Sequence, residues 1–160
     1  MKLSNLEGKE EWGLKIYCNF NTFKEKIEKE EEMIKEMEKE IVSSSKGKAY
    51  FLRKKKDELI KTIINERTSE YTQDSFKRLE KVSLETQINK ILPKEVTQNK
   101  NDMVLNVAFL IDKNLIKEFD EVLEYLKIKY SYKGLTFDCT GPWPPYNFCS
   151  IDKKKGETSE

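Results

Sequence analysis

The 160-residue chain contains no histidine. That absence removes the commonest general base, the Ser–His and Cys–His nucleophile pairs and the commonest metal ligand. Carboxylates and lysines remain, but none of their spacings points to catalysis. No catalytic, cofactor-binding or metal-binding residue is therefore assigned, and the chain reads as a non-enzyme. Cysteine is scarce too: Cys18, Cys139 and Cys149 are an odd count without CxxC spacing, which argues against a disulfide framework or a zinc site. Cys18 and Cys139 fall on the apolar faces of two expected strands, where small buried thiols are ordinary. No apolar run approaches the ~18 residues of a membrane span, and no secretory leader is evident, so a soluble cytoplasmic protein is expected. Charge of one sign is also lacking. Thirty basic and 29 acidic residues give a net charge of +1, so no global field draws nucleic acid or an anionic membrane. Partners have to be recognised through shape and local patches.

What the chain has in quantity is charge of both signs. Charged and hydrophobic residues each make up 37%, a polar balance for a compact domain, which fits a modest core carrying an extended helical arm. Residues 1–10 are polar and are expected to be flexible. From Trp12 the alternation Trp12, Leu14, Ile16, Cys18 against Gly13, Lys15, Tyr17 has the period of a strand with one buried face. After a cap expected at Asn21-Thr22, Phe23, Ile27, Ile34, Met37 and Ile41 follow a 4,3,4,3,4 spacing in which Glu30 fills the one polar position. This narrow apolar stripe calls for a single partner helix.

The small polar run Ser43-Ser44-Ser45-Lys46-Gly47 predicts a break. A second helix is expected from about Lys48 to Val82, on Ala49, Leu52, Leu59, Ile63, Phe76, Leu79 and Val82. Two such helices form an antiparallel coiled-coil hairpin over about 23–82. Charge supports the pairing: residues 24–40 hold eight Glu against five Lys, whereas residues 46–61 hold seven Lys/Arg against two Asp/Glu. The run Arg53-Lys54-Lys55-Lys56 could read as a phosphate or nucleic-acid patch. Pairing with Glu32, Glu36 and Glu38 across the hairpin is the favoured reading, and it sets register more than stability.

A strand is expected around Leu84, Thr86 and Ile88, ending before Pro93, followed by a polar turn over 94–101. Residues 102–111 are apolar on both faces, Leu105, Val107, Phe109 and Ile111 on one and Val104, Ala108 and Leu110 on the other, which places this strand in the middle of a sheet. Asp112-Lys113-Asn114 offers a cap for a helix from Leu115 to Tyr130. Gly134 marks a turn, and Leu135 begins the last strand. Residues 149–151 would finish the ordered chain, with 152–160 disordered. The order βαββαβ gives an α+β class: a ferredoxin-like sandwich over 11–151 whose first crossover is extended into the helical hairpin. The strands from Trp12 and Asp102 take the centre of a four-stranded antiparallel sheet, leaving a second face around Lys15, Tyr17 and Asp138 as a possible open platform.

Three of the four prolines lie in Thr140-Gly141-Pro142-Trp143-Pro144-Pro145-Tyr146. Proline fixes φ and lacks an N–H, so the segment is expected to leave the ladder as a stiff extended peptide that aims Trp143 and Tyr146. Residue chemistry alone favours a cap on a small core over a partner site. The segment, continued through Asn147 and Phe148, nevertheless resembles the C-terminal TGPWPPY-type signature of the GvpF/GvpL gas vesicle accessory family. Glu11-Trp12-Gly13-Leu14-Lys15-Ile16-Tyr17 is similar to that family's EWGVKV-type strand, and Gly47-Lys48-Ala49-Tyr50-Phe51-Leu52-Arg53-Lys54-Lys55 to its helix start. These matches keep their order from about Leu6 to Phe148.

The resemblance implies a non-enzymatic, gas-vesicle-associated protein that binds the major shell protein or other accessory proteins. Members of that family usually carry another globular domain ahead of the first strand, so the chain is expected to be a short member or a piece of a longer one. Trp143, Pro144, Pro145 and Tyr146 are the candidate contact residues, with Trp12 and Tyr17 as weaker ones. Other readings have less support. A ferredoxin-like RNA binder would need basic and aromatic residues on the strand at 102–111, an acylphosphatase-like hydrolase would need a phosphate-cradling loop at Asn19-Phe20-Asn21, and a coiled-coil adaptor would leave the proline motif unused.

Overall fold

In the computed structural model, the described residues run from 6 to 148; the expectations for 149–151 and for the tail at 152–160 lie outside them. The strand that begins the alternating pattern, β1 (Lys9–Cys18), starts earlier than Trp12. Residues 6–10 are thus not a frayed lead-in. Leu6 is buried with Ala108, Leu110 and Phe148, and the Lys113 amide donates to the Gly8 carbonyl, so an apolar anchor and a backbone bond order this stretch.

Two helices, α1 (Phe20–Glu30) and α2 (Glu32–Ser43), stand where the apolar stripe predicted one. The chain is extended at Glu31, whose carboxylate accepts from the Arg67 guanidinium. This break sits beside Glu30, the polar gap in the stripe, where no apolar contact favours continuation. The stripe is otherwise as expected, with Phe23, Ile27, Ile34 and Ile41 buried. The cap of α1 is Asn19 rather than Asn21-Thr22: its side chain accepts from the Thr22 amide. The connection is tighter than Ser43–Gly47, because Ser43 closes α2 and Ser45 caps the 35-residue helix α3 (Lys46–Glu80). The lower half of α3 buries Thr68, Ser75 and Leu79 against the sheet, and the Thr68 hydroxyl lies 3.6 Å from the Cys18 sulfur.

The second strand, β2 (Glu85–Ile88), is shorter than expected. One turn of helix, α4 (Lys94–Thr97), leads to β3 (Asp102–Asp112). Asp112 accepts from the Asn114 amide and caps a turn of 3-10 helix that runs into α5 (Ile116–Tyr130). Gly134, at φ 123°, then turns the chain into β4 (Leu135–Trp143). The sheet order is β2-β3-β1-β4 with all neighbours antiparallel, so β1 and β3 are central. One face carries Leu14, Ile16, Val107, Phe109, Ile111, Leu135 and Phe137, packed with Leu79 of α3 and Phe119, Leu123 and Leu126 of α5. The result is a mixed α/β fold: a four-stranded antiparallel sheet and a long helix.

Two expectations about the sheet are corrected here. The proline motif does not leave the ladder at Thr140: β4 runs on to Trp143, which pairs with Glu11 after a register shift between Glu11 and Gly13. Proline is compatible with this because β4 is an edge strand and the irregularity absorbs the missing donor. Nor is the second face an open platform at Tyr17. Tyr17 and Met103 are buried, and Leu6 and Phe148 cover Ala108 and Leu110.

Candidate functional site

The end of β4 and the residues after it form a compact construction around Glu11 and Trp12. Gly141, at φ 148°, passes directly over the Trp12 indole. A Cβ on Gly141 would lie 2.8 Å from the indole carbons, closer than any real side chain sits. The Trp12 Nε1–H donates to Glu10 Oε1 at 3.1 Å. Trp12 thus serves as the floor under the Gly141–Pro142 bond, which is cis.

After Trp143 the chain turns back across the second face. Pro144 and Pro145 carbonyls accept from the amides of Tyr146 and Phe148, at 2.7 and 3.0 Å. Asn147 is the clasp: its backbone N–H and its Nδ2 donate to the two Glu11 carboxylate oxygens at 2.9 and 2.6 Å. Its Oδ1 accepts from Gln87 Nε2 at 3.2 Å. A buried carboxylate requires such donors, because leaving it unpaired in the interior costs several kcal/mol. Phe148 then seats on Ala108 and Leu110. The motif therefore ties β4, β1 and β2 together from the side away from the helices.

This arrangement leaves aromatic surface exposed. Trp143 is 50% exposed and Tyr146 68%. Pro144 lies exposed between them, while Pro145 is half-buried. The Trp143 Nε1–H donates to Thr140 Oγ1 at 3.1 Å, which fixes the ring direction. Trp12 adjoins this ridge through Gly141. Tyr17 lies five residues further along β1, about 17 Å from Trp12 at the rise of a strand, and is buried. The structure does not bring it to the ridge.

On the helix side, Trp12 also lines a groove of about 610 Å³ with Ile116, Phe119, Leu123 and Cys139, rimmed by Lys113, Lys117, Lys127 and Asp120. Burial pushes the Cys139 thiol up to about 11, against the lowering effect of Lys127. At neutral pH it is a protonated, apolar part of the groove wall. Among the described residues, no group of three or more His, Cys, Asp or Glu side chains could hold a metal ion, and no helix is long and apolar enough to cross a membrane.

The Glu11–Asn147 clasp has no signature in the hydrophobic pattern, since a polar pair separated by 136 residues leaves no periodicity. Its signal was present in another form: Glu11 opens the EWG stretch and Asn147 follows the PPY stretch.

The described residues thus form a mixed α/β protein: a four-stranded antiparallel sheet with a long helix and an exposed proline-aromatic ridge. The family model of gas vesicle synthesis proteins GvpL/GvpF matches residues 1–150, and the chain belongs to that family. It is 25% identical over 154 residues to gas vesicle protein L of Haloferax mediterranei, covering 92% of this chain and 46% of that protein. With gas vesicle protein L1 of Halobacterium salinarum the identity is 23% over 154 residues, covering 92% of this chain and 52% of the other. The chain thus spans about half the length of these relatives. The crystal structure of GvpF from Anabaena superposes with a TM-score of 0.68 at 19% identity, over 92% of this chain and 57% of that one. GvpF from Microcystis aeruginosa gives 0.59 at 17%, over the same shares.

Proposed function

We propose that this chain is a gas vesicle accessory component that binds the major shell protein, other accessory proteins or both, through the ridge Trp143, Pro144, Pro145 and Tyr146, with Trp12 as its support. The order β2-β3-β1-β4 with antiparallel pairing supports reading the fold as a ferredoxin-like sandwich, a stiff platform for ridge and arm. The observation that carries the reading is the combination of exposure and immobility. Trp143 and Tyr146 present large rings to solvent on a backbone held by prolines, by the Trp12–Gly141 packing and by the Glu11–Asn147 clasp. Aromatics ordered before binding lose little entropy on contact and dominate interface energies. The role is one of binding and placement, without chemistry of its own, and it belongs at the vesicle in the cytoplasm.

The test is affinity capture of separately produced major shell protein by the tagged chain, in the presence and absence of the other accessory proteins. Retention of the shell protein alone supports the direct contact. Retention only through another accessory protein reassigns the ridge to that partner, and no retention in either case contradicts the reading.

A further inference from the structure

The basic run at the start of α3 is not consumed by its own hairpin. Lys56 pairs with Glu38 and Glu28 at 3.3 and 3.7 Å, as expected of an interhelical contact. Among the described residues Arg53, Lys54 and Lys55 have no ion-pair partner, and neither does Glu36. Two stripes at helical spacing stand out on the tip. Met33, Glu36 and Glu40 share one side of α2, and Lys48, Phe51 and Lys55 share one side of α3. The Lys48–Glu40 ion pair at 3.4 Å places both stripes on the same side of the hairpin, and Lys55 Nζ lies 5.6 Å from the Phe51 ring centre. Met33 is 63% exposed and Phe51 60%.

We propose that this side of the hairpin tip is a self-association surface for a second copy of the chain, with both hairpins pointing the same way. A two-fold axis parallel to the hairpin sets α2 of each copy against α3 of the other. The acidic stripe of one copy then faces the basic stripe of its partner, twice by symmetry, with the Met33 and Phe51 side chains between them. Facing helices run antiparallel, and residue 40 of one copy is level with residue 48 of the other, the same register that the hairpin uses internally. The tips form a four-helix bundle. Charge complementarity selects this occupant over a polyanion, which would meet Glu36 and Glu40 on the same side as Lys48 and Lys55. The contact spans only about two helical turns, so the dimer is weak and salt-sensitive.

Sedimentation equilibrium of the chain over a rising concentration series, at low and high salt, tests this. Glu36→Lys and Lys55→Glu are the variants, since both positions are exposed, helical and outside every intramolecular ion pair, and circular dichroism checks that they fold. The wild type is expected to dimerise weakly, less so in high salt. Each variant loses about tenfold or more in self-association, because each dimer then contains two like-charge contacts. An equimolar mixture of the two variants regains association. In the mixed dimer the charges at positions 36 and 55 are opposite across both symmetry-related contacts, reversed in one and native in the other. A wild type that stays monomeric overturns the proposal, whether or not a single-stranded oligonucleotide then binds the tip. So does a dimer that both reversals leave unchanged.

Discussion

Gly141 and Trp143 are two residues apart in the motif and make opposite contributions. A side chain at Gly141 would have to enter the Trp12 ring from a backbone at φ 148°. Gly141→Ala is expected to destabilise the fold by about 1–3 kcal/mol in urea unfolding. Trp143→Ala removes a half-exposed ring and is expected to cost under about 1 kcal/mol. Asn147→Ala strips the buried Glu11 carboxylate of its side-chain donor, and about 1–3 kcal/mol should be lost in the same assay. Cys139 offers a chemical check on the groove. With its thiol pushed up to about 11, alkylation at pH 8 should run on the order of a hundredfold slower than for a free thiol, and unfolding in urea should restore the ordinary rate. Fast native alkylation would mean that the groove around Trp12 is open to water in a way the structure does not show.

At the scale of elements, α3 is joined to α5 by a polar contact as well as by packing. The Tyr130 hydroxyl donates to Asp74 at 2.5 Å, Arg78 Nε donates to the same carboxylate at 2.9 Å, and the Tyr71 ring stacks on Tyr130 at 4.7 Å between centres. Burial alone would raise the Asp74 pKa. The hydrogen bonds from Tyr130 and Arg78 and the charges of Lys129 and Arg78 outweigh it, so the pKa lies below the ordinary carboxylate value. A carboxylate whose pKa falls on folding adds stability that is fully present above its unfolded pKa of about 3.9. That stability fades as pH drops through the lower folded value. Asp74→Asn should therefore lower the melting temperature at pH 7, and the gap to wild type should close in acid. A gap that stayed constant from pH 7 to pH 2 would show that the Asp74 charge does not act in this way.

What was legible at this scale follows from physical type. The alternation from Trp12 and the doubly apolar pattern at 102–111 place β1 and β3 at the sheet centre because burial of side chains writes itself as periodicity. The hairpin stripe is legible for the same reason. The break at Glu31 is not, since it depends on Arg67, 36 residues away, reaching that carboxylate. The run of β4 through Pro142 was hidden by a rule that holds for central strands. An edge position with a register irregularity lifts the rule. On the site itself, the resemblance points to Trp143 and Tyr146, and both rings are exposed. The clasp beneath them joins Glu11 to Asn147 and could be located only once the fold had brought the two together.

For the whole molecule, α5 and the lower half of α3 cover one face of the sheet, while Leu6 and Phe148 cover Ala108 and Leu110 on the other. The proline-aromatic ridge is proposed as a contact surface and not merely the closure of the fold. The most direct measurement is the affinity of the chain for the major shell protein, compared with a Trp143→Ala/Tyr146→Ala variant whose circular dichroism spectrum and urea midpoint match the wild type. The wild type is expected to bind, and the folded variant to lose about tenfold or more in affinity, the usual consequence of truncating two central aromatic anchors. Equal binding by both proteins, with the variant shown to be folded, would contradict it and reduce the motif to architecture.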